Sequence, residues 1–339
     1  MMWNMDPMTI LCIAFLALAA CLCARRVQAE ELWTVYDGYD GPGKGKHIVF
    51  ISGDEEYRSE ESIPEIAKIM AVRHGFKCTV LFAIDPKTGA IDPETLDNIP
   101  GLEALDNADL MVLFIRFREL PDAQMKHIID YTNSGKPILA LRTATHAFNY
   151  VKDPGNAYAK YSFQNKTFEG GYGRQVLGET WVTHYGAHQI ESTRGLVADG
   201  MRDNPLVRGC EDIWGASDVY ALTTLTGDSK PVIMGQVLTG MNPSDPPKPG
   251  MDLVPVAWTK SYTGAQGKPA RVFTTTMGHP DDFQSEGFRR LLANACYWCI
   301  GMENQIPERA NVDLAGPYTP SKIGVGGHKK GVKPGEHRL

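Results

Sequence analysis

Residues 46–75, KHIVFISGDEEYRSEESIPEIAKIMAVRHG, contain a strand, a loop and a helix in succession. Residues 47–51 form a short apolar run without polar alternation, the pattern of a strand buried on both faces. A polar loop covers 53–61. Ser62 and Glu65 then read as a capping box ahead of a helix whose apolar stripe is Ile63, Ile66, Ala67 and Met70, with Gly75 as its stop. The strand pattern recurs at 76–82, 110–115 and 137–141, and Met125, Ile128, Ile129 and Thr132 place a second helix between Pro121 and Gly135. Short apolar strands alternating with amphipathic helices require right-handed crossovers and a mostly parallel sheet covered on both faces. The fold class is therefore doubly wound α/β.

Downstream, 151–191 is rich in Gly, Asn, aromatic residues and His and lacks a clear period; long irregular segments of this kind are usually functional. Strand-like runs return at 212–222, 231–238, 253–260 and 271–276. A last helix carries the stripe Phe288, Leu291, Leu292, Ala295 and Cys299. Cys296 and Cys299 have the C-x-x-C spacing, but their place near the end of a helix, with Cys299 on its apolar stripe, marks them as buried structural thiols. Residues 302–339 show no period and end in the basic, Gly-rich GVGGHKKGVKPGEHRL, which reads as a tail able to dock a partner or an anionic surface.

The 339 residues are 43% hydrophobic and 22% charged, which excludes a disordered chain or a small disulfide scaffold. A net charge of -6 without a long basic run gives nucleic acid no electrostatic footprint. Residues 9–24 are apolar but shorter than a bilayer span, and Val27-Gln28-Ala29 offers small residues where signal peptidase prefers them. Residues 1–29 therefore read as a signal peptide, with export to a periplasmic or extracellular space and no transmembrane span. Leu18-Ala19-Ala20-Cys21 also resembles a lipobox, which would make Cys21 a lipidated N-terminus. The remainder divides into a linker at 30–45, one domain at 46–301 and the tail at 302–339.

In a doubly wound sheet, ligands sit outside the carboxyl ends of the strands. Those positions are unusually polar here. They carry Glu55, Glu56, Tyr57 and Arg58 after the first strand; Arg116 and Arg118 after the third; Arg142, Thr143, Thr145 and His146 after the fourth; and His279, Asp281 and Asp282 after the last. The run PILALRTATH, 137–146, has the outline of a nucleophile elbow with Arg142 at the turn. Arginine stays protonated and cannot attack, so its role there is to bind or polarise.

PVAWTKSY (255–262), RVFTTTMGHPDDF (271–283) and FRRLLANACYW (288–298) resemble the ThuA-like, or trehalose-utilisation, family over the run from Lys46 to Gly301. The resemblance implies the class I glutamine amidotransferase-like superfamily, with a flavodoxin-like sheet. Amidotransferases place a cysteine at the elbow and His-Pro-Glu after the last strand, whereas this chain has Arg142 and His279-Pro280-Asp281, so covalent glutaminase chemistry is not expected. The family implies carbohydrate metabolism, in particular of disaccharides or glycosides and their 3-keto derivatives, by lyase, hydrolase or isomerase chemistry. A 3-keto sugar has an acidic hydrogen beside its carbonyl, and its glycosidic bond breaks by elimination when a base takes that proton and a donor holds the enolate.

On this basis the candidate catalytic residues are His279, Arg142 and Asp281. Glu56, Tyr57, Arg58, Arg116, Thr143, His146, Trp181 and Tyr185 are the candidates for binding a small sugar or glycoside, a role that the aromatic content of 148–185 suits. His184 and His188, four apart but separated by Gly186 and so placed on a loop, are candidate ligands of a divalent metal. The alternative from another class is a non-catalytic glycan-binding or envelope-associated protein on a degenerate amidotransferase scaffold.

Overall fold

The computed structural model describes residues 32–222 and 224–339. The expected signal peptide, 1–29, and Cys21 lie outside the described residues. In chain order the strands are β1 (Trp33–Tyr36), β2 (His47–Gly53), β3 (Lys77–Phe82), β4 (Leu110–Ile115), β5 (Ile138–Leu141) and β6 (Thr183–Tyr185), followed by β7 (Thr193–Val197), β8 (Trp214–Gly215), β9 (Val219–Ala221), β10 (Lys230–Val237), β11 (Val254–Thr263) and β12 (Pro269–Thr275). Three α-helices are described: α1 (Ser59–His74), α2 (Asp122–Asn133) and α3 (Glu286–Cys299).

Ten strands form one sheet in the order β1-β3-β2-β4-β5-β12-β11-β10-β7-β8, while β6 and β9 pair as a separate ribbon. The core strands β3, β2, β4, β5 and β12 are mutually parallel. Taken in chain order, those five stand 2-1-3-4-5 across the sheet, the flavodoxin-like arrangement. Antiparallel strands extend both edges. The parallel strands can be apolar throughout because each face meets its own layer. Ile48, Phe50, Val112, Phe114 and Leu139 pack in one cluster with residues of α1 and α3. The alternate residues Val49, Ile51, Met111, Leu113 and Ile138 pack in the other with residues of α2.

Three expectations change. Helix α1 begins at Ser59, ahead of the expected capping box: Arg58 precedes it in the left-handed region (φ 53°), and Ser62 Oγ donates to Arg58 O from inside the helix. Glu65 accepts instead from Ala315 N at 3.0 Å, a tertiary partner that no local pattern announces. Residues 33–36, expected in a linker, form edge strand β1 against β3.

The third change concerns residues 302–339, which pack along the body as a strap. Ile306, Ala310 and Val312 are buried, and the His337 ring stacks on Phe82 at 5.3 Å. Tyr36 Oη donates to His337 O at 2.6 Å, and Ile91 N donates to Val332 O at 2.8 Å. Its basic residues meet acidic ones of the body, Lys329 with Glu61 (3.3 Å) and Lys330 with Glu94 (3.0 Å). Cys296 and Cys299 are buried free thiols, as expected, and burial pushes Cys296 up to about 12. Among the described residues, no helix is long and apolar enough to cross a membrane.

Candidate functional site

Strand register sets the site. β2 and β4 run side by side from Ile48 opposite Leu110 to Gly53 opposite Ile115, so the loops that leave them are neighbours, and Arg116 N donates to Gly53 O at 2.9 Å. This is the point where strand order reverses and a crevice opens. The loops after β2, β4 and β5 each contain a non-glycine residue in the left-handed region: Arg58 (φ 53°), Phe117 (φ 53°) and Arg142 (φ 41°). Such strained positions gather where function over-determines the backbone.

The loop after β2 is folded by Asp54, whose Oδ1 accepts from Glu56 N and Tyr57 N, both at 2.7 Å, and whose Oδ2 accepts from Thr143 Oγ1. Thr143 thus ties the β5 turn to the β2 loop. Glu56 and Tyr57 are carried into the crevice. Arg58 is not: it lies buried under the strap, with Nε donating to Lys322 O at 3.0 Å and Nη2 to Gly324 O.

Arg116 pairs with Glu56 at 2.7 Å and with Glu55 at 3.4 Å, yet its Nε and Nη1 are buried without a well-formed hydrogen bond. Burial and the neighbouring Asp54 charge push Glu55 up to about 7, against the pull of Arg116 and Arg118. Two arginines and these carboxylates make a stiff charged corner at the crevice wall.

Arg142 occupies the elbow, followed by a single 3-10 turn (Arg142–His146) rather than an α-helix. Its side chain is fully buried. Nη1 donates to Asp218 O and Thr276 O, each at 3.1 Å, and the Tyr57 ring covers the guanidinium at 3.9 Å. Arg142 is therefore a strut beneath the crevice. His146 is enclosed by Phe117 (5.2 Å), Trp181 (5.5 Å) and Tyr220 (5.7 Å), and burial, with the charges of Arg116 and Arg142, pushes its pKa well below the usual imidazole range.

The irregular segment 151–191 supplies the opposite wall. β6 pairs with β9 so that His184 faces Tyr220, and Gly186 (φ 99°) makes a turn that returns His188 to the same place. Both imidazoles then meet one carboxylate: His184 Nδ1 lies 2.6 Å from Asp218 Oδ2, and His188 Nδ1 lies 2.8 Å from Asp218 Oδ1. Asp218 is fully buried. Burial opposes its ionisation, but the hydrogen bonds from His184 and His188 and the Arg142 charge overcome that and hold it below the usual carboxylate range. Because an ionised carboxylate only accepts, each ring carries its proton on Nδ1 and presents a lone pair on Nε2.

His279 is set the opposite way. Its Nδ1 accepts from Asp281 N at 3.2 Å, which leaves the proton on Nε2. Burial and the charge of Arg142 push it down to about 3 against the pull of Asp218, so the ring is a neutral donor. His279 and His188 flank the Tyr57 ring at 6.3 and 6.2 Å. Asp281 is half-buried and bonds Gln284 at 3.0 Å; Tyr185 Oη donates outward to Asp252 O at 2.9 Å. A cavity of about 40 Å³ remains, lined by Glu56, Tyr57, Arg116, Trp181, His184 and Tyr220, with Phe117 and His146.

A family model described as ThuA, trehalose utilisation, matches residues 47–299. The chain belongs to the ThuA family. No curated protein matches it. Among solved structures it is similar to a ThuA-like protein of Parabacteroides merdae, at 16% identity over 76% of this chain and 90% of that one, with a TM-score of 0.48. It is also similar to a ThuA-like protein of Bacteroides uniformis, at 13% identity over 77% and 93%, with a TM-score of 0.46. Of the residues singled out in this ThuA-family sequence, Glu56, Tyr57, Arg116, His146, Trp181 and His184 meet at the cavity, with His188 and His279 beside it. Arg58, Arg142, Thr143, Asp281 and Tyr185 stand behind or outside it. Asp218, Tyr220 and Phe117 were not singled out. The one cue to Asp218 was an acidic residue inside the otherwise strand-like run 212–222.

Proposed function

We propose that this ThuA-family chain is an exported enzyme that cleaves 3-keto disaccharides or glycosides by proton abstraction beside the ketone. The observation that carries the reading is the pair of imidazoles oriented by Asp218, with the Arg116 guanidinium lining the same cavity as His184. His184 Nε2, which lines the cavity, takes the proton from C2 of the sugar, and Asp218 stabilises the imidazolium that forms. Arg116 receives the enolate oxygen that develops at C3. The enolate then reforms the ketone as a C1–C2 double bond forms and the C1–O bond breaks, and the departing oxygen takes the proton back from His184. Water adding across that double bond completes a net hydrolysis. His279 Nε2–H serves as a second donor at the rim. Arg142, with no face toward the cavity, positions Asp218 and Tyr57. No cysteine stands at the elbow, so glutaminase chemistry has no nucleophile. The apolar run 9–24 and Val27-Gln28-Ala29 support export.

The test is turnover of 3-keto glycosides in deuterated water, followed by mass spectrometry. Deuterium should enter beside the carbonyl. His184→Ala should abolish that exchange and lower turnover by about 10²–10⁴-fold, and His279→Ala should lower turnover while binding persists. A ligand that binds without exchange or cleavage would instead establish a non-catalytic glycan binder.

A second reading, a divalent cation on the same imidazoles, is supported by the ligand atoms of His184, His188 and Asp218 lying within 4.8 Å of one another. His184, His188 and Asp218 would hold it, with Glu56 Oε1, 3.6 Å from His188 Nε2, as a further carboxylate within reach. Such an ion would supply Lewis-acid polarisation of the ketone. Metal analysis of tag-free protein decides between the two: about one ion per chain supports the cation, and a substoichiometric content in every preparation removes it.

A further inference from the structure

The cavity at His184 is far too small to enclose a sugar. Its volume is about 40 Å³, whereas ligand pockets usually run to roughly 300–1,000 Å³. The reacting edge of a substrate fits there and the rest must lie elsewhere. Across Trp181 lies a groove of about 340 Å³, whose walls include Phe163, Gln164, Asn165, Lys166, Arg174 and Trp181 itself. Trp181 belongs to both spaces. Its ring meets His146 at 5.5 Å and His184 at 5.9 Å, which line the inner cavity, and Phe163, which lines the groove, at 6.4 Å.

The groove is built rather than incidental. Phe163 N donates to Phe148 O at 3.0 Å, Asn165 Oδ1 accepts from Thr167 N and Phe168 N at 2.9 and 2.7 Å, and Arg174 is anchored on Glu179 at 2.6 Å. Gln164 and Lys166 stand exposed on its lip. The half-buried Trp181 ring for C–H bonds, with the exposed Gln164 and Lys166 beside it for hydroxyls, is the chemistry that recognises a pyranose ring.

We infer that this groove is a second subsite, holding the sugar ring that leaves, and that it sets a preference for disaccharides over simple glycosides; the inference rests on the reading of the inner cavity given above. Trp181 is the divide between the ring that reacts and the ring that is released. Binding energy from the outer ring is then available to seat the inner one.

The experiment compares kcat/KM for 3-keto-trehalose and for methyl 3-keto-α-glucoside, in the wild-type chain and in the Gln164→Ala/Lys166→Ala variant. The wild type should prefer the disaccharide by tenfold or more, and the variant should lower that ratio by about five- to tenfold. A ratio near one in the wild type, or one the variant leaves unchanged, overturns the subsite. If neither compound is turned over, the reading of the inner cavity fails by itself. Calorimetric binding of unoxidised trehalose then tests the groove: weaker binding by the variant supports it, and equal binding, or none to either chain, overturns it.

Discussion

On the proposed mechanism, Asp218→Asn is expected to lower turnover by about 10³-fold while leaving a folded protein. The carboxylate does something an amide cannot. It accepts from His184 Nδ1, His188 Nδ1 and Ser217 Oγ (2.7 Å) at once. An asparagine in its place has one oxygen and one NH2 group. The NH2 faces an imidazole nitrogen, so that ring moves its proton to Nε2 and loses the lone pair aimed at the cavity. The substitution also removes the charge 3.7 Å from buried Arg142, which keeps its carbonyl acceptors but loses its counter-ion. Some loss of thermal stability therefore accompanies the loss of activity. Since Asp218 titrates below the ordinary carboxylate range in the folded state, its stabilising contribution is present above the unfolded carboxylate value, about 3.9, and fades as pH falls through the lower folded value. At neutral pH the variant lacks all of it. Turnover measured beside a circular-dichroism melt separates the two effects: full activity in a folded variant would remove Asp218 from the mechanism.

Deleting residues 302–339 is expected to abolish cooperative folding. The strap supplies acceptors to groups that the rest of the protein leaves unpaired. Arg290 Nε donates to Ala310 O (3.0 Å), Arg289 Nε to Val312 O (2.8 Å), His74 Nε2 to Asn311 O (2.8 Å) and Arg58 Nε to Lys322 O (3.0 Å). Each of these hydrogen bonds exchanged for water costs about 0.5–1.5 kcal/mol, and a domain has only about 5–15 kcal/mol to lose. Exposure of the apolar surface under Ile306, Ala310 and Val312 adds to that. The site would suffer as well, because Gly324 N donates to Glu56 O (2.9 Å) and Tyr318 Oη to Pro280 O (2.8 Å), next to His279. A truncated chain that melts cooperatively at the full-length temperature would refute this account and return the segment to the status of a free tail.

Much of the scaffold was legible because its signals are local. The runs at 48–51 and 110–115 are apolar throughout, as strands covered on both faces must be, and the stripe from Phe288 to Cys299 has helical spacing. Strand ends in such a sheet are ligand positions, which singles out Glu56, Tyr57, Arg116, His146 and His279 by sequence alone. The start of α1 was misplaced because its capping chemistry is replaced by contacts with Ala315 and the strap. Edge strand β1 was missed because an edge needs only one partner, and its four residues carry no turn signals of their own.

Local chemistry was thus sufficient for the doubly wound core, for the rim where a ligand would sit, and for the absence of a nucleophile at the elbow. It did not assign tasks within the rim. By sequence Arg142 and His279 are equally able to touch substrate, and Asp218 is marked only as an acidic residue inside a strand-like run. Their roles follow from who hydrogen-bonds whom across gaps of tens of residues: Asp218 with His184, His188 and Arg142, and Asp54 with Thr143. A proton's place on an imidazole is set by the partner of its other nitrogen, and that partner is chosen by the packing of the folded chain.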